Sequence, residues 1–127
     1  MTIQVDASRS SSRFTNGGVT RIAVCSDTHV WDIPAPVVNG EGSVQQLDAS
    51  HLLAETAAEC MDDIRPAVTL HLGDQVSGGD FFGMPDDEFA AELAWLRDLM
   101  RSMRAPVYAL PGNHDCPQHT SDWSVIN

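Results

Sequence analysis

Three groups of polar side chains, far apart in the sequence, each follow a short apolar run. In chain order they are Asp27 and His29, then Asp74, then Asn113, His114 and Asp115. Carboxylate oxygens, imidazole nitrogens and an amide oxygen form a mixed ligand set that suits divalent manganese, iron or zinc. Several carboxylates at one place repel one another unless a cation lies between them. An aspartate that bridges two ions, about 3.5–4 Å apart, would create a clamp for phosphoryl oxygens.

The segments around these groups predict alternating strands and helices. The apolar runs 19–25, 67–72 and 106–110 are typical of buried strands. Between them, one helix is expected from an N-cap at Asp48 to about Ile64, and another from a cap at Asp86 to about Arg104. Their predicted apolar stripes are Leu53, Ala57, Cys60 and Ile64 in the first, and Phe89, Leu93, Leu96, Met100 and Met103 in the second.

The order β-α-β-α-β predicts an α/β fold with a parallel sheet and right-handed crossovers. Because parallel strands end at the same edge of a sheet, the three polar groups are expected to lie close together. Long loops without regular structure are predicted over 30–44 and 75–85.

The polar groups also resemble those of a known family. Asp27-Thr28-His29, Gly73-Asp74 and Gly112-Asn113-His114-Asp115 are similar, in order and spacing, to the first motif blocks of calcineurin-like metallophosphoesterases. The resemblance covers roughly residues 19–116. It implies hydrolysis of phosphomonoesters or phosphodiesters by a hydroxide that bridges two divalent metal ions (manganese, iron or zinc). It also implies that β-α-β-α-β is one half of a layered α/β/β/α sandwich.

The resemblance assigns a role to each residue. Asp27 and His29 would hold the first ion, Asp74 would bridge both ions, and Asn113 would hold the second. His114 would protonate the leaving group or steady the phosphate, and Asp115 would orient His114. The alternative for Asp115 is to cap its own turn.

The chain also departs from the family pattern. Family members continue with another histidine block and a G-H-x-H block, and neither is present before Asn127. The resemblance therefore implies an incomplete second metal site, a missing second sheet and little catalysis from this chain alone. The alternative function is a non-catalytic remnant, or half of a split enzyme that needs a complementing chain or self-association through a bare apolar sheet surface. A flavodoxin-like domain with an acidic pocket would explain Asp27 but not His29.

Size and charge limit the partners and the location. The 127 residues suffice for one domain, expected as a disordered leader over 1–18 and a partial domain over 19–127. The net charge of −11 disfavours a nucleic-acid surface or anionic lipid, and the resemblance implies a small phosphate ester as substrate. No apolar run approaches the roughly 20 residues that span a bilayer. The odd number of cysteines favours free thiols in the cytoplasm, which applies to Cys25, Cys60 and Cys116.

Other residues near the polar groups have less specific interpretations. His71, inside a strand, is expected in the core or behind a ligand, and His51, in a first helical turn, is expected to be solvated. His119 could replace a missing ligand. Trp31 and Asp32 either line the entrance to the site or pack within their loop.

Overall fold

The strands of the main sheet alternate with two helices as predicted, and a short hairpin precedes the first helix. The computed structural model describes residues 19–79 and 82–116. In chain order the elements are β1 Ile22–Cys25, β2 Val37–Val38, β3 Val44–Gln46, α1 Ser50–Asp63, β4 Val68–His71, α2 Asp86–Ser102 and β5 Val107–Ala109. The predicted leader 1–18 and His119 lie outside the described residues.

The main sheet has the order β1-β4-β5, and both of its strand pairs are parallel. The last residues of the strands are in register, since Cys25 pairs with His71 and His71 pairs with Ala109. The segments that follow the three strands therefore start side by side at one edge. This confirms the predicted α/β class and the predicted parallel sheet.

One face of the sheet is covered by helices, whereas residues 19–79 and 82–116 leave the other face open. On the covered face, Thr69 lines a small cavity together with Ala58 of α1 and Leu96 of α2. The opposite face presents Ile22, Val24 and Tyr108, which are 56%, 57% and 64% exposed. The described part of the chain thus leaves apolar side chains exposed where the predicted sandwich would place its second sheet.

The core lies between α2 and the segments that follow β1 and β4. Val30 and Val76 from these segments form a parallel β-bridge and are fully buried. Phe89 and Leu96 of α2 pack against them, and the remaining residues of the predicted α2 stripe are half-buried, namely Leu93, Met100 and Met103. The predicted stripe of α2 is therefore confirmed.

The predicted stripe and cap of α1 are wrong. Ala49 occupies the N-cap position instead of Asp48, and no side chain caps the helix. Leu53 of the predicted stripe is 51% exposed. The Ser50 hydroxyl accepts a hydrogen bond from the Trp31 amide and donates one to the Trp31 carbonyl, both at 2.9 Å. These bonds turn another set of small residues inward, namely Ser50, Ala54 and Ala58.

The boundaries of α2 also differ from the prediction. Pro85 occupies the N-cap position, Asp86 is the first helical residue, and the helix ends at Ser102. The acidic first turn and Arg101 in the last turn still complement the helix dipole as expected. None of the helices in residues 19–79 and 82–116 is long and apolar enough to cross a membrane.

Residues 30–44 are not an irregular loop throughout, so this prediction is wrong. β2 and β3 pair as a short antiparallel hairpin in which Val37 lies opposite Gln46. Gly42 supplies a φ of 81° in the turn, and the side-chain oxygen of Asn39 accepts two backbone N–H groups of the same turn. The strands are two and three residues long, which is too short for a periodic pattern in the sequence.

Candidate metal centre

Asp27, His29 and Asp74 leave the sheet edge in a strained backbone conformation. Their φ angles are 56°, 43° and 52°, in the left-handed region, which costs a non-glycine residue about 1–2 kcal/mol. Hydrogen bonds across the edge hold this conformation, since Asp27 N–H donates to Gly73 O at 3.0 Å and His29 N–H donates to Asp74 O at 3.1 Å. Strain that the surroundings maintain in this way occurs preferentially at functional sites.

The three side chains converge on a common space. His29 Nε2 lies 3.8 Å from Asp27 Oδ1 and 4.0 Å from Asp74 Oδ2. One ligand atom from each residue lies within 4.8 Å of the others. The Ser26 hydroxyl donates to the second oxygen of Asp27. The separations are too long for hydrogen bonds but short enough for the three side chains to surround one cation.

The electrostatics of His29 favour its neutral form. Burial lowers the pKa of His29 and the neighbouring His114 lowers it further, and together they outweigh the carboxylates that raise it, Asp74, Asp27 and Asp115. A neutral imidazole offers a nitrogen lone pair, which a metal ligand requires. The other ring nitrogen, Nδ1, is buried without a hydrogen-bond partner among the described residues.

His114 lies beside the trio of Asp27, His29 and Asp74 and contacts two of them, His29 and Asp74. Its backbone N–H donates to Asp74 Oδ1 at 3.0 Å, and its ring centroid lies 5.0 Å from that of His29. Its Nδ1 lies 3.0 Å from the carbonyl of Gly78. Because a carbonyl only accepts, Nδ1 of His114 carries a proton and donates it to Gly78 O. Phe82 packs against both imidazoles, with ring centroids 5.6 and 5.1 Å away.

The turn that carries Asn113 lies directly against Asp74. A Cβ on Gly112 would overlap the carboxylate and the amide of Asp74, so only glycine permits this approach. Asn113 follows Gly112 and is exposed. The structure therefore places Asn113 at the same edge of the sheet as the trio of Asp27, His29 and Asp74.

Asp115 is fully buried, and its carboxylate binds backbone rather than an imidazole. It accepts from the N–H groups of Gly112 (2.8 Å), Gln75 (2.7 Å) and Val76 (3.1 Å), and from the side chain of Gln75. His114 is not among its hydrogen-bond partners in the described part of the chain. The contacts therefore favour the alternative in which Asp115 caps its own turn and ties it to the segment after Asp74.

His71 is buried and hydrogen-bonds to the loops that carry the ligand candidates, as one of its two interpretations predicts. It is 2% exposed, its Nε2 lies 3.0 Å from the hydroxyl of Thr28, and its Nδ1 accepts the N–H of Gly73 at 3.3 Å. Burial lowers the pKa of His71 and outweighs the nearby carboxylates. Both nitrogens are therefore engaged with the two loops that carry the ligand candidates.

The sequence does not identify two buried residues that contact His29. Gln46 and Ser77 both contact the backbone carbonyl of His29, at 2.5 and 3.0 Å. Gln46 ends β3 and lies two residues beyond the predicted loop 30–44. No pattern in the sequence singles out either residue.

His51 is half-buried and engaged by its neighbours rather than solvated, so this prediction is wrong. Its Nε2 lies 2.5 Å from Glu92 Oε2, and its ring stacks on that of Trp95 with the centroids 3.8 Å apart and an interplanar angle of 3°.

Trp31 is 8% exposed and donates from Nε1 to Glu88 at 2.6 Å. Trp31 therefore packs within the fold, as the second of its interpretations proposed.

Comparison with known proteins gives the family of the chain and a solved structure with a similar fold. The family model of calcineurin-like phosphoesterases matches residues 20–125, and the chain belongs to that family. The crystal structure of a dimetal phosphatase from Danio rerio has a similar fold, with a TM-score of 0.63 at 19% sequence identity. The match covers 76% of this chain and 30% of the Danio rerio chain, so this chain spans less than a third of that protein. No curated protein sequence matches the chain significantly.

Proposed function

We propose that this chain binds divalent metal through Asp27, His29 and Asp74 and contributes these ligands to the hydrolysis of phosphate esters. The observation that supports the proposal is the convergence of their ligand atoms within 4.8 Å at one sheet edge. Membership of the calcineurin-like phosphoesterase family supports the proposed class of reaction.

The residues present fit a divalent cation. Ligand atoms that are each about 2.0–2.2 Å from one ion lie no more than about 4.4 Å apart. The observed separations of His29 Nε2 from the carboxylates are 3.8 and 4.0 Å, and the ligand oxygens of Asp27 and Asp74 lie within 4.8 Å of each other. A cation would relieve the repulsion between Asp27 and Asp74. Manganese, iron and zinc all accept such a mixed oxygen and nitrogen set.

A second ion would share Asp74 and use Asn113. Asp74 presents Oδ2 to His29, while its Oδ1 accepts the N–H of His114 and retains a free lone pair. Asn113 lies on the exposed side of the turn packed against Asp74. The proposal therefore includes a dinuclear site in which Asp74 is a ligand of both ions.

The metal ions, when bound, would neutralise charge on the phosphate and lower the pKa of water. His114 would hold or donate the proton that the leaving oxygen needs when the P–O ester bond breaks. The Gly78 carbonyl, by accepting from Nδ1, directs the opposite nitrogen of that ring to this task. Asp115 would keep the His114 turn in place through its backbone hydrogen bonds.

The test combines Mn²⁺ binding with hydrolysis of p-nitrophenyl phosphate and its bis ester. Asp74→Asn should weaken Mn²⁺ binding by about 100-fold or more, beyond the loss caused by removing an outer hydrogen-bond partner. Asp98→Asn is the matched control, because Asp98 is exposed on α2 and carries the same charge. Absence of Mn²⁺ binding to the intact chain, or equal binding by Asp74→Asn, would contradict the proposal.

The second candidate is a non-catalytic remnant, or half of a split site that needs a complementing chain. The exposed face with Ile22, Val24 and Tyr108 favours it, because apolar sheet surfaces of this kind are normally covered. Turnover of either ester by the mass-verified 127-residue chain would exclude this candidate. Mn²⁺ binding without turnover would support it.

A further inference from the structure

We infer that Gln46, at the end of β3, is a positioning residue that holds the backbone of His29 and thereby sets the affinity of the site for divalent metal. The inference rests on the proposed function, since it concerns the same ligand. It assigns a role to the β2–β3 hairpin, which sequence patterns predict as an irregular loop.

The hydrogen bonds around the His29 carbonyl are buried and specific. Gln46 Nε2 donates to His29 O at 2.5 Å, and Gln46 Oε1 accepts from the Ser77 hydroxyl at 2.5 Å. Gln46 is 3% exposed and Ser77 is fully buried. Because a carbonyl only accepts, the amide nitrogen of Gln46 must face His29, which fixes the orientation of the amide group.

Gln46 is the steadier of the two donors to this carbonyl. The Ser77 hydroxyl lies 3.0 Å from His29 O but also within reach of Gln46 Oε1, and it has one proton to give. Whenever that proton goes to Gln46, the amide group of Gln46 alone supports His29 O. The loss of the Gln46 amide would leave this buried carbonyl with the Ser77 hydroxyl as its one remaining donor among the described residues.

The restraint matters because His29 has a left-handed backbone. Its φ of 43° is maintained from one side by its N–H, which donates to Asp74 O, and from the other by its carbonyl. The backbone angles of His29 decide whether its ring reaches the carboxylates of Asp27 and Asp74. Without Gln46 the peptide can relax toward an unstrained conformation and carry the imidazole away from them.

The hairpin delivers Gln46 from a defined position. Gln46 pairs with Val37 across the hairpin, and Val37 and Ile33 pack against the core cluster. The amide group is therefore held by a packed element and not by a free loop. Hydrogen-bond partners of a ligating side chain typically change metal affinity by about 10–100-fold, and a partner of the ligand's backbone is expected at the lower end of that range.

The experiment measures Mn²⁺ affinity by calorimetry for the wild-type chain, Gln46→Met and Gln46→Glu. Methionine keeps the volume without a donor, and glutamate keeps the shape and the acceptor for Ser77 but cannot donate when ionised. Both should bind Mn²⁺ about 10-fold more weakly. Gln45→Met is the control on the same strand, because the Gln45 side chain donates to Ser43 O within the hairpin and has no hydrogen bond to His29.

Melting curves without metal and amide hydrogen exchange separate the outcomes. Unchanged Mn²⁺ affinity in both Gln46 variants would overturn the inference, even if their melting temperatures fall, because that pattern shows only a structural role. If the wild-type chain binds no Mn²⁺, the proposed function fails and the claim about metal affinity fails with it, while exchange at the His29 amide decides whether Gln46 holds the His29 backbone. Exchange about 10-fold faster in Gln46→Glu than in Gln45→Met supports it, and equal exchange overturns it.

Discussion

Two histidine–carboxylate clusters in this fold differ in how closely their partners approach. His51 Nε2 lies 2.5 Å from Glu92, whose other oxygen accepts the N–H of Asp32 at 2.7 Å. His29 Nε2 stays 3.8 and 4.0 Å from its two carboxylates. The first cluster, formed by His51 and Glu92, satisfies its own polar groups, and we call it the closed cluster. The second, formed by Asp27, His29 and Asp74, keeps its polar groups apart, and we call it the open cluster.

The difference shows what separates a structural cluster from a candidate metal site. The His51 ring is further fixed by stacking on Trp95, and its cluster leaves no space for an ion between nitrogen and oxygen. The His29 cluster combines strained backbone, two carboxylates and a buried ring nitrogen without a partner among the described residues. Residue types are alike in the two clusters, and the backbone that presents them determines the spacing.

The largest effect is expected from Gly112→Ala, which forces the open cluster apart. The new methyl group would overlap backbone and carboxylate atoms of Asp74, so the turn must shift. We expect a loss of about 3 kcal/mol in the free energy of unfolding together with weaker Mn²⁺ binding. Urea denaturation and Mn²⁺ titration measure the two effects. Gly40→Ala is the control, since nothing lies within 4 Å of its added Cβ, and equal stability of the two variants would contradict the close approach.

Glu92→Ala should break the closed cluster without affecting metal binding. It removes the acceptor of the His51 ring and of the Asp32 amide, and Glu92 is 7% exposed. Leaving these groups unpaired should cost about 2 kcal/mol in urea denaturation, while Mn²⁺ affinity stays at the wild-type value. Glu55→Ala, at an exposed position of α1, serves as the control. A parallel fall in Mn²⁺ affinity would show that the two clusters are not independent.

The smallest effect is a pH dependence of stability in the metal-free chain. Burial lowers the pKa of His71 below 6.5, so between its folded pKa and 6.5 the unfolded chain binds more protons. Stability is therefore complete above about pH 6.5 and falls as the pH drops through that window, by at most about 1.4 kcal/mol per pH unit for one histidine. His71→Gln should reduce this slope in urea denaturation series. A slope of the opposite sign would contradict the buried neutral ring.

The convergence of the ligand candidates is predictable because strand ends fix it. Asp27, His29 and Asp74 directly follow β1 and β4, and parallel pairing brings them to one edge whatever the loops do. The sequence predicts the capping role of Asp115 only as one of two alternatives. Its carboxylate also accepts the backbone N–H of Gln75, forty residues earlier, and no local pattern indicates that contact.

Contacts made by irregular or distant segments could not be predicted from the sequence. Gln46 reaches His29 through a hairpin with a register shift, whose short strands carry no periodic signal. His51 meets Glu92 only because α1 packs beside α2 with its small residues inward, a face that the stripe of Leu53 and Ile64 does not indicate.

A Zn²⁺ titration followed by the imidazole ¹⁵N resonances tests the central claim most directly, because it observes both clusters in one sample. The account predicts that one ring nitrogen of His29 shifts to the position of a metal-bound nitrogen while the resonances of His51 stay unchanged. Asp74→Asn should abolish the His29 shift. A shift of His51 with His29 unchanged, or no shift of His29 at saturating Zn²⁺, would contradict the assignment of the open cluster as the metal site.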